Sequence, residues 1–167
     1  MKTFSLTLTA YAAISLTLGG CGGETAESSS SATASAEEVD PCSLLSAADI
    51  ESATGITAGV AESPDPRVNA CQWPGPSQEI LPLVYLGLSW AGSNTWEEYR
   101  EYMIEREYGD PEEDGERVDI GLYGHYMPEV AMLQVNTPEH VLITLRIRDG
   151  TKAQLVELAT KAMERLP

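Results

Sequence analysis

Positive charge is scarce in this chain. It has ten Lys and Arg against twenty-six Asp and Glu, a net charge of −16. One of the ten, Lys2, lies in residues 1–20, so the chain beyond residue 20 carries nine cations against twenty-six acids, near −17. Phosphate contacts need a basic patch, so nucleic acid is excluded as a partner. The acidic field suits steering toward cationic partners or divalent ions, or simple solubility in a salty medium. Histidine is scarce too, with only His125 and His140. A zinc triad around either would need carboxylates that the sequence does not arrange. The chain has no G-x-S-x-G, no H-E-x-x-H and no Cys–His pair with a spare thiol. Those are the patterns that activate a nucleophile or hold catalytic zinc. The expectation is therefore a protein that is not an enzyme and takes no cofactor. There is no internal repeat at a fixed period.

The apolar stretch Phe4–Leu18 is short of the roughly twenty residues that span a bilayer. With Lys2 before it and the small residues Gly19 and Gly20 after it, it reads as an export signal over residues 1–20. The signal ends Leu18-Gly19-Gly20-Cys21, which resembles a bacterial lipobox. That resemblance implies a diacylglyceryl group on the Cys21 thiol, cleavage just before it, and acylation of the new amino terminus. Two or three acyl chains, palmitate among them, would hold a protein to a membrane stably. The implied location is the cell envelope: the outer leaflet of the plasma membrane in a Gram-positive host, the outer membrane facing the periplasm in a Gram-negative one. Gly22 is not the aspartate of an inner-membrane retention signal. Residues 21–39 hold the lipidated Cys and a Ser/Ala/Glu-rich stretch without apolar periodicity, read as a disordered tether.

Residues 40–167 read as one domain, large enough to bury a core unaided. Beyond Cys21 the cysteines are Cys42 and Cys71. An even pair in an exported chain reads as a disulfide, with a metal pair or a catalytic thiol as alternatives. Ser46 and Asp49 open a short helix that Gly55 closes, and 56–60 is a strand candidate. Residues 80–90, "ILPLVYLGLSW", are apolar on both faces, the mark of a strand covered on both sides. Thr95 and Glu98 cap the clearest helix, which carries Trp96, Tyr99 and Met103 on one face with Tyr102 at its margin, and is expected to stop at Gly109. Three further strand segments follow, the last two joined by a hairpin turn at "NTPE". Thr151 and Gln154 then cap a C-terminal helix with a Leu/Ala stripe. The expected fold is α+β, a curved antiparallel sheet with helices packed on it, in the order α-β-β-β-α-β-β-β-β-α. One of the four strands in the second run has no segment assigned to it.

Asp40-Pro41-Cys42-Ser43-Leu44-Leu45, the helix ending at Gly55, and Cys71-Gln72-Trp73 together resemble a family of bacterial envelope lipoproteins, mostly actinobacterial, of unknown function. Its members open with D-P-C-x-L-L after a lipobox and tether and carry a second Cys followed closely by Trp. The resemblance covers residues 40–75. It implies a bridged, membrane-tethered domain and no particular reaction.

Two segments are candidates for chemistry. Asp110, Glu112, Asp114 and Gly115 stand where an EF-hand loop has its first, third, fifth and sixth positions, but Gly121 replaces the bidentate Glu. The loop is then a weak divalent-cation site, usable by a sensor or buffer, or a solvated acidic loop. In "GLYGHYMPE", Tyr123 and His125 share one face of a strand. That face is either an exposed binding surface, extended by Trp90 and Trp96, or packing beneath a helix. The function expected is a lipid-anchored, non-enzymatic binding or accessory domain for an envelope protein partner or a small apolar ligand. An envelope hydrolase is the remaining alternative.

Overall fold

The computed structural model describes residues 39–76 and 82–167, which fall in one compact unit. The signal segment, Cys21 and the tether up to residue 38 lie outside the described residues. Val39, assigned to the tether by composition, is buried against the core and belongs to the domain.

A single 3₁₀ turn at Pro41–Ser43 precedes helix α1 (Ala47–Thr54). Strands β1 (Ala70–Trp73) and β2 (Val84–Trp90) follow, then helices α2 (Trp96–Glu105) and α3 (Pro111–Asp114). Strands β3 (Glu116–Val118), β4 (Tyr123–Met127), β5 (Met132–Asn136) and β6 (Val141–Ile147) lead to helix α4 (Lys152–Met163). The strands form one antiparallel sheet in the order β1-β2-β6-β5-β4-β3. The fold is α+β, as expected. No helix among the described residues is long and apolar enough to cross a membrane.

Strand side chains alternate between faces, so the register sorts the sheet into cross-strand rows. One row runs Cys71, Leu86, Leu145, Leu133 and Tyr126 across five strands. Leu86, Leu145 and Leu133 are fully buried, under Leu155, Leu158 and Ala162 of α4 and Ile50 of α1. This face is the core. The capping boxes at Ser46/Asp49 and Thr151/Gln154 both form, and Gly55 ends α1 in the left-handed region at φ 71°. Asp49 does more than cap. It also takes Arg165 near the chain's end at 2.8 Å and lies 3.8 Å from Lys161. Bonding to Arg165 holds its carboxyl well below the usual carboxylate range. That stabilisation is present above the ordinary carboxylate pKa and is lost as pH falls toward the depressed value.

Five local expectations need correction. Residues 56–60 form no strand. Ile56 and Val60 face solvent, Ala58 packs against the core, and the Gly59 amide donates to the Pro74 carbonyl just past β1. Just beyond it, Glu62 bridges to Gln72 and closes the outer edge of β1. On its second face β2 is covered only at Gly87, with Tyr85 half-buried and Ser89 exposed. α2 stops at Glu105, before Gly109, because Glu107 takes a positive φ of 60°. Thr95 accepts from the Glu98 amide, but Glu98 reaches back to the Asn94 amide instead of completing a box. The unassigned fourth strand is β3, and the acidic loop ahead of it holds the extra helix α3.

Cys42 and Cys71 are joined by a disulfide with Cα atoms 5.0 Å apart, 29 residues apart in sequence. A bridge closing about thirty residues contributes roughly 3–4 kcal/mol in the chain-entropy model. Replacing both cysteines by serine should lower unfolding stability in denaturant titrations by about that amount. Equal midpoints and slopes for the two proteins would show that the bridge does not act on the unfolded chain.

Candidate functional site

The second face of the sheet carries the polar and aromatic residues. Three rows cross it. The first is Gln72, Tyr85, Arg146, Met132 and Met127. The second is Ala70, Gly87, Thr144, Gln134, His125 and Arg117. The third is Ser89, Leu142, Asn136 and Tyr123. Helices α2 and α3 lie over the β4 end of this face.

Tyr123, His125 and Trp96, candidates for a binding surface, are buried. Of the two readings of this strand, packing beneath a helix is the one found. The reason is the α2 stripe: Trp96 and Tyr99 descend onto Tyr123 and His125, with ring centroids 5.4–5.9 Å apart. Each such pair adds about 0.5–1.5 kcal/mol beyond its buried area. Trp90 stands apart, exposed at the end of β2 with its ring 5.9 Å from that of His140.

His125 is engaged at both nitrogens. The Pro111 carbonyl, 3.0 Å away, can only accept, so Nε2 carries the proton. Nδ1 is then an acceptor 3.0 Å from the Tyr99 hydroxyl, which shares its proton with Gln134 Oε1, also at 3.0 Å. Burial holds the imidazole below the ordinary histidine range, against opposing contributions from Pro111 and Asp114. Burial, and then the neighbouring Tyr123, pushes the Tyr99 hydroxyl up to about 12. The cluster is neutral at ordinary pH and offers no base with a free lone pair. Ser93 is bonded to the Tyr123 hydroxyl at 2.6 Å, and the Asn136 amide donates to the Ser93 carbonyl. Asn136 Oδ1 is buried without a partner among the described residues.

The acidic loop does not assemble a metal site. Asp110 caps α3 by accepting from the Glu112 amide, and it pairs through both oxygens with Arg100 of α2. That pairing lowers its pKa to about 2. Glu112 accepts from the Trp96 indole at 3.2 Å and lies 3.5 Å from Arg100. Asp114 lies against Gly109 instead. Among the described residues no three His, Cys, Asp or Glu side chains are placed to hold an ion. Asp110 and Glu112 are drawn to one guanidinium, a partner that EF-hand spacing does not reveal.

Beside the buried cluster, between α2 and the third row, lies a cleft of about 360 Å³. Trp90, Tyr99, Tyr102, Tyr123 and Leu142 line it, with Ser89 and Ser93. Trp90 is 62% exposed and Tyr102 47%. Two of the four residues expected to form a binding surface, Trp90 and Tyr123, therefore meet at this cleft. Ser93 and Asn136 are not among the sequence candidates, whereas Tyr102 stands at the margin of the α2 stripe. Asn136 and Gln134 alternate as polar residues in β5, a period-two signal that places both on this face. Comparison of the chain with protein-family models, with curated proteins and with solved structures finds no match.

Two outcomes are expected. The unfolded chain protonates its histidines near pH 6.5, whereas buried His125 does so only at lower pH. Stability should therefore fall as pH drops through that window. An NMR titration placing the His125 ring at or above about 6.5 would contradict its neutral burial. Gly115 sits where an added Cβ would strike the Tyr126 carbonyl and the His125 ring. Gly115→Ala should destabilise by about 1–3 kcal/mol in denaturant melts.

Proposed function

We propose that this chain is a lipid-anchored lipoprotein of the bacterial envelope whose domain is a non-enzymatic binding or accessory module. It holds a protein partner, or a small apolar ligand, close to the membrane. The observation that carries the binding half is the cleft of Trp90, Tyr99, Tyr102, Tyr123 and Leu142, with two large aromatics in solvent at its edge. Its volume lies within the range of ligand pockets, and exposed aromatics are the residues that most often anchor a partner. Ser89 and Ser93 on its wall add polar groups for orientation.

The anchor half rests on Leu18-Gly19-Gly20-Cys21, outside the described residues. The likeness to envelope lipoproteins that open D-P-C-x-L-L is consistent with the bridge between Cys42 and Cys71. The non-enzymatic reading is supported by His125, whose two nitrogens are both engaged, and by Ser93, which bonds a tyrosine instead of a base.

A photo-crosslinking residue placed at position 90 or 102 of the full-length protein should capture one envelope protein in cells. The same residue at position 60, on the loop beside β1, should not. Identical capture patterns from these sites would remove the cleft as the binding surface. Cys21→Ala should move the protein from the membrane fraction to the soluble fraction. Unchanged sedimentation with membranes would overturn the anchor.

A further inference from the structure

We infer that the same sheet face holds a second site, at the opposite end of the strands, for a small monoanionic carboxylate with an apolar body. It does not rest on the cleft described above. Its floor is the first cross-strand row, Gln72, Tyr85, Arg146 and Met132. With Pro82 and Arg148 these residues line a pocket of about 300 Å³, and among the described residues none of its lining comes from a helix.

The charge pattern singles out Arg146. Cations are scarce in this protein, and acids hold most of those described. Arg67 pairs with Asp65, Arg100 with Asp110, Lys152 with Glu116, and both Lys161 and Arg165 with Asp49. Arg117 reaches Glu97 and lies over the Trp96 ring, and Arg106 lies over Tyr102. Arg148 is also engaged. Arg146, exposed in the middle of the pocket row, has no hydrogen bond, ion pair or ring contact among the described residues. A guanidinium left unpaired amid so many carboxylates presents its fork of N–H donors to an incoming anion.

The apolar half comes from Tyr85 and Met132 on either side of Arg146. The Tyr85 ring lies along the strand over Gly87, where an added Cβ would be 3.0 Å from the Tyr85 hydroxyl. Gly87 thus leaves room for the Tyr85 ring to lie flat on the strand next to Arg146. The pocket is at the small end of ligand sites, which suits a compact solute and not a diacyl lipid. A net charge of −16 repels multiply charged anions from the whole surface, so a single carboxylate fits best.

Saturation-transfer NMR on the purified full-length protein tests this, with 3-phenylpropionate and its neutral amide as paired probes. The acid should show saturable transfer with a dissociation constant of about 1 mM or tighter, and the amide should bind about tenfold more weakly. Arg146→Gln, at an exposed position that leaves the fold intact, should bring the acid's affinity down to that of the amide. Tyr85→Ala should weaken acid and amide alike. Equal binding of acid and amide, unchanged binding by Arg146→Gln, or no saturation below about 10 mM would each overturn the site.

Discussion

Seven consecutive residue pairs, from Val84 with Ile147 to Trp90 with Val141, lock β2 to β6 in the middle of the sheet. Everything else depends on that register. A slip of one residue would carry Leu86, Leu88, Ile143 and Leu145 out of the core and put Tyr85, Thr144 and Arg146 into it. The register is held because the helix side accepts only apolar groups: α4 and α1 supply no partner for a charge or hydroxyl at those positions. The same alternation assigns the second face its chemistry. The pocket row and the cleft row are opposite ends of one surface, fixed relative to each other by strand geometry.

The scarce cations act as clamps between elements far apart in sequence. Arg165 reaches back 116 residues to Asp49 and also donates to the Leu44 carbonyl. One side chain near the end of the chain thus ties α4 to α1 and to the disulfide-bearing turn. Arg100 does the same locally, pinning the start of α3 to α2 and so placing the Pro111 carbonyl against His125. The Arg100–Asp110 pair is partly buried but still reached by solvent and weakened by salt, so its contribution is more one of position than of stability.

Much of this fold is legible in the residues. The Ser46/Asp49 and Thr151/Gln154 boxes, the Leu155/Leu158/Ala162 stripe and the alternation of β6 are local signals, and each element formed where its signal lies. The failures have one cause, which is that partners are not local. Residues 56–60 have strand-like composition but meet the edge of β1 through a single backbone hydrogen bond, and whether Tyr85 is covered depends on a layer that the local sequence does not show. The candidate site shows the same limit. Tyr123 and His125 were legible as a shared strand face, but whether that face meets water depends on where α2 lands. The acidic loop looked like a cation site because its spacing omits Arg100, ten residues upstream of Asp110. The Arg146 row was hidden because it is assembled from four strands.

The disulfide also has a mechanical meaning. Cys42 lies three residues after Val39, where the described chain enters the domain, and its covalent partner Cys71 sits within β1. A pull on the amino-terminal side therefore reaches the sheet through a covalent crosslink almost at once. The load bypasses α1 and the loop that follows it, because residues 43–70 lie inside the closed ring. Unravelling from that end is arrested at Cys42 until β1 itself is stripped from β2.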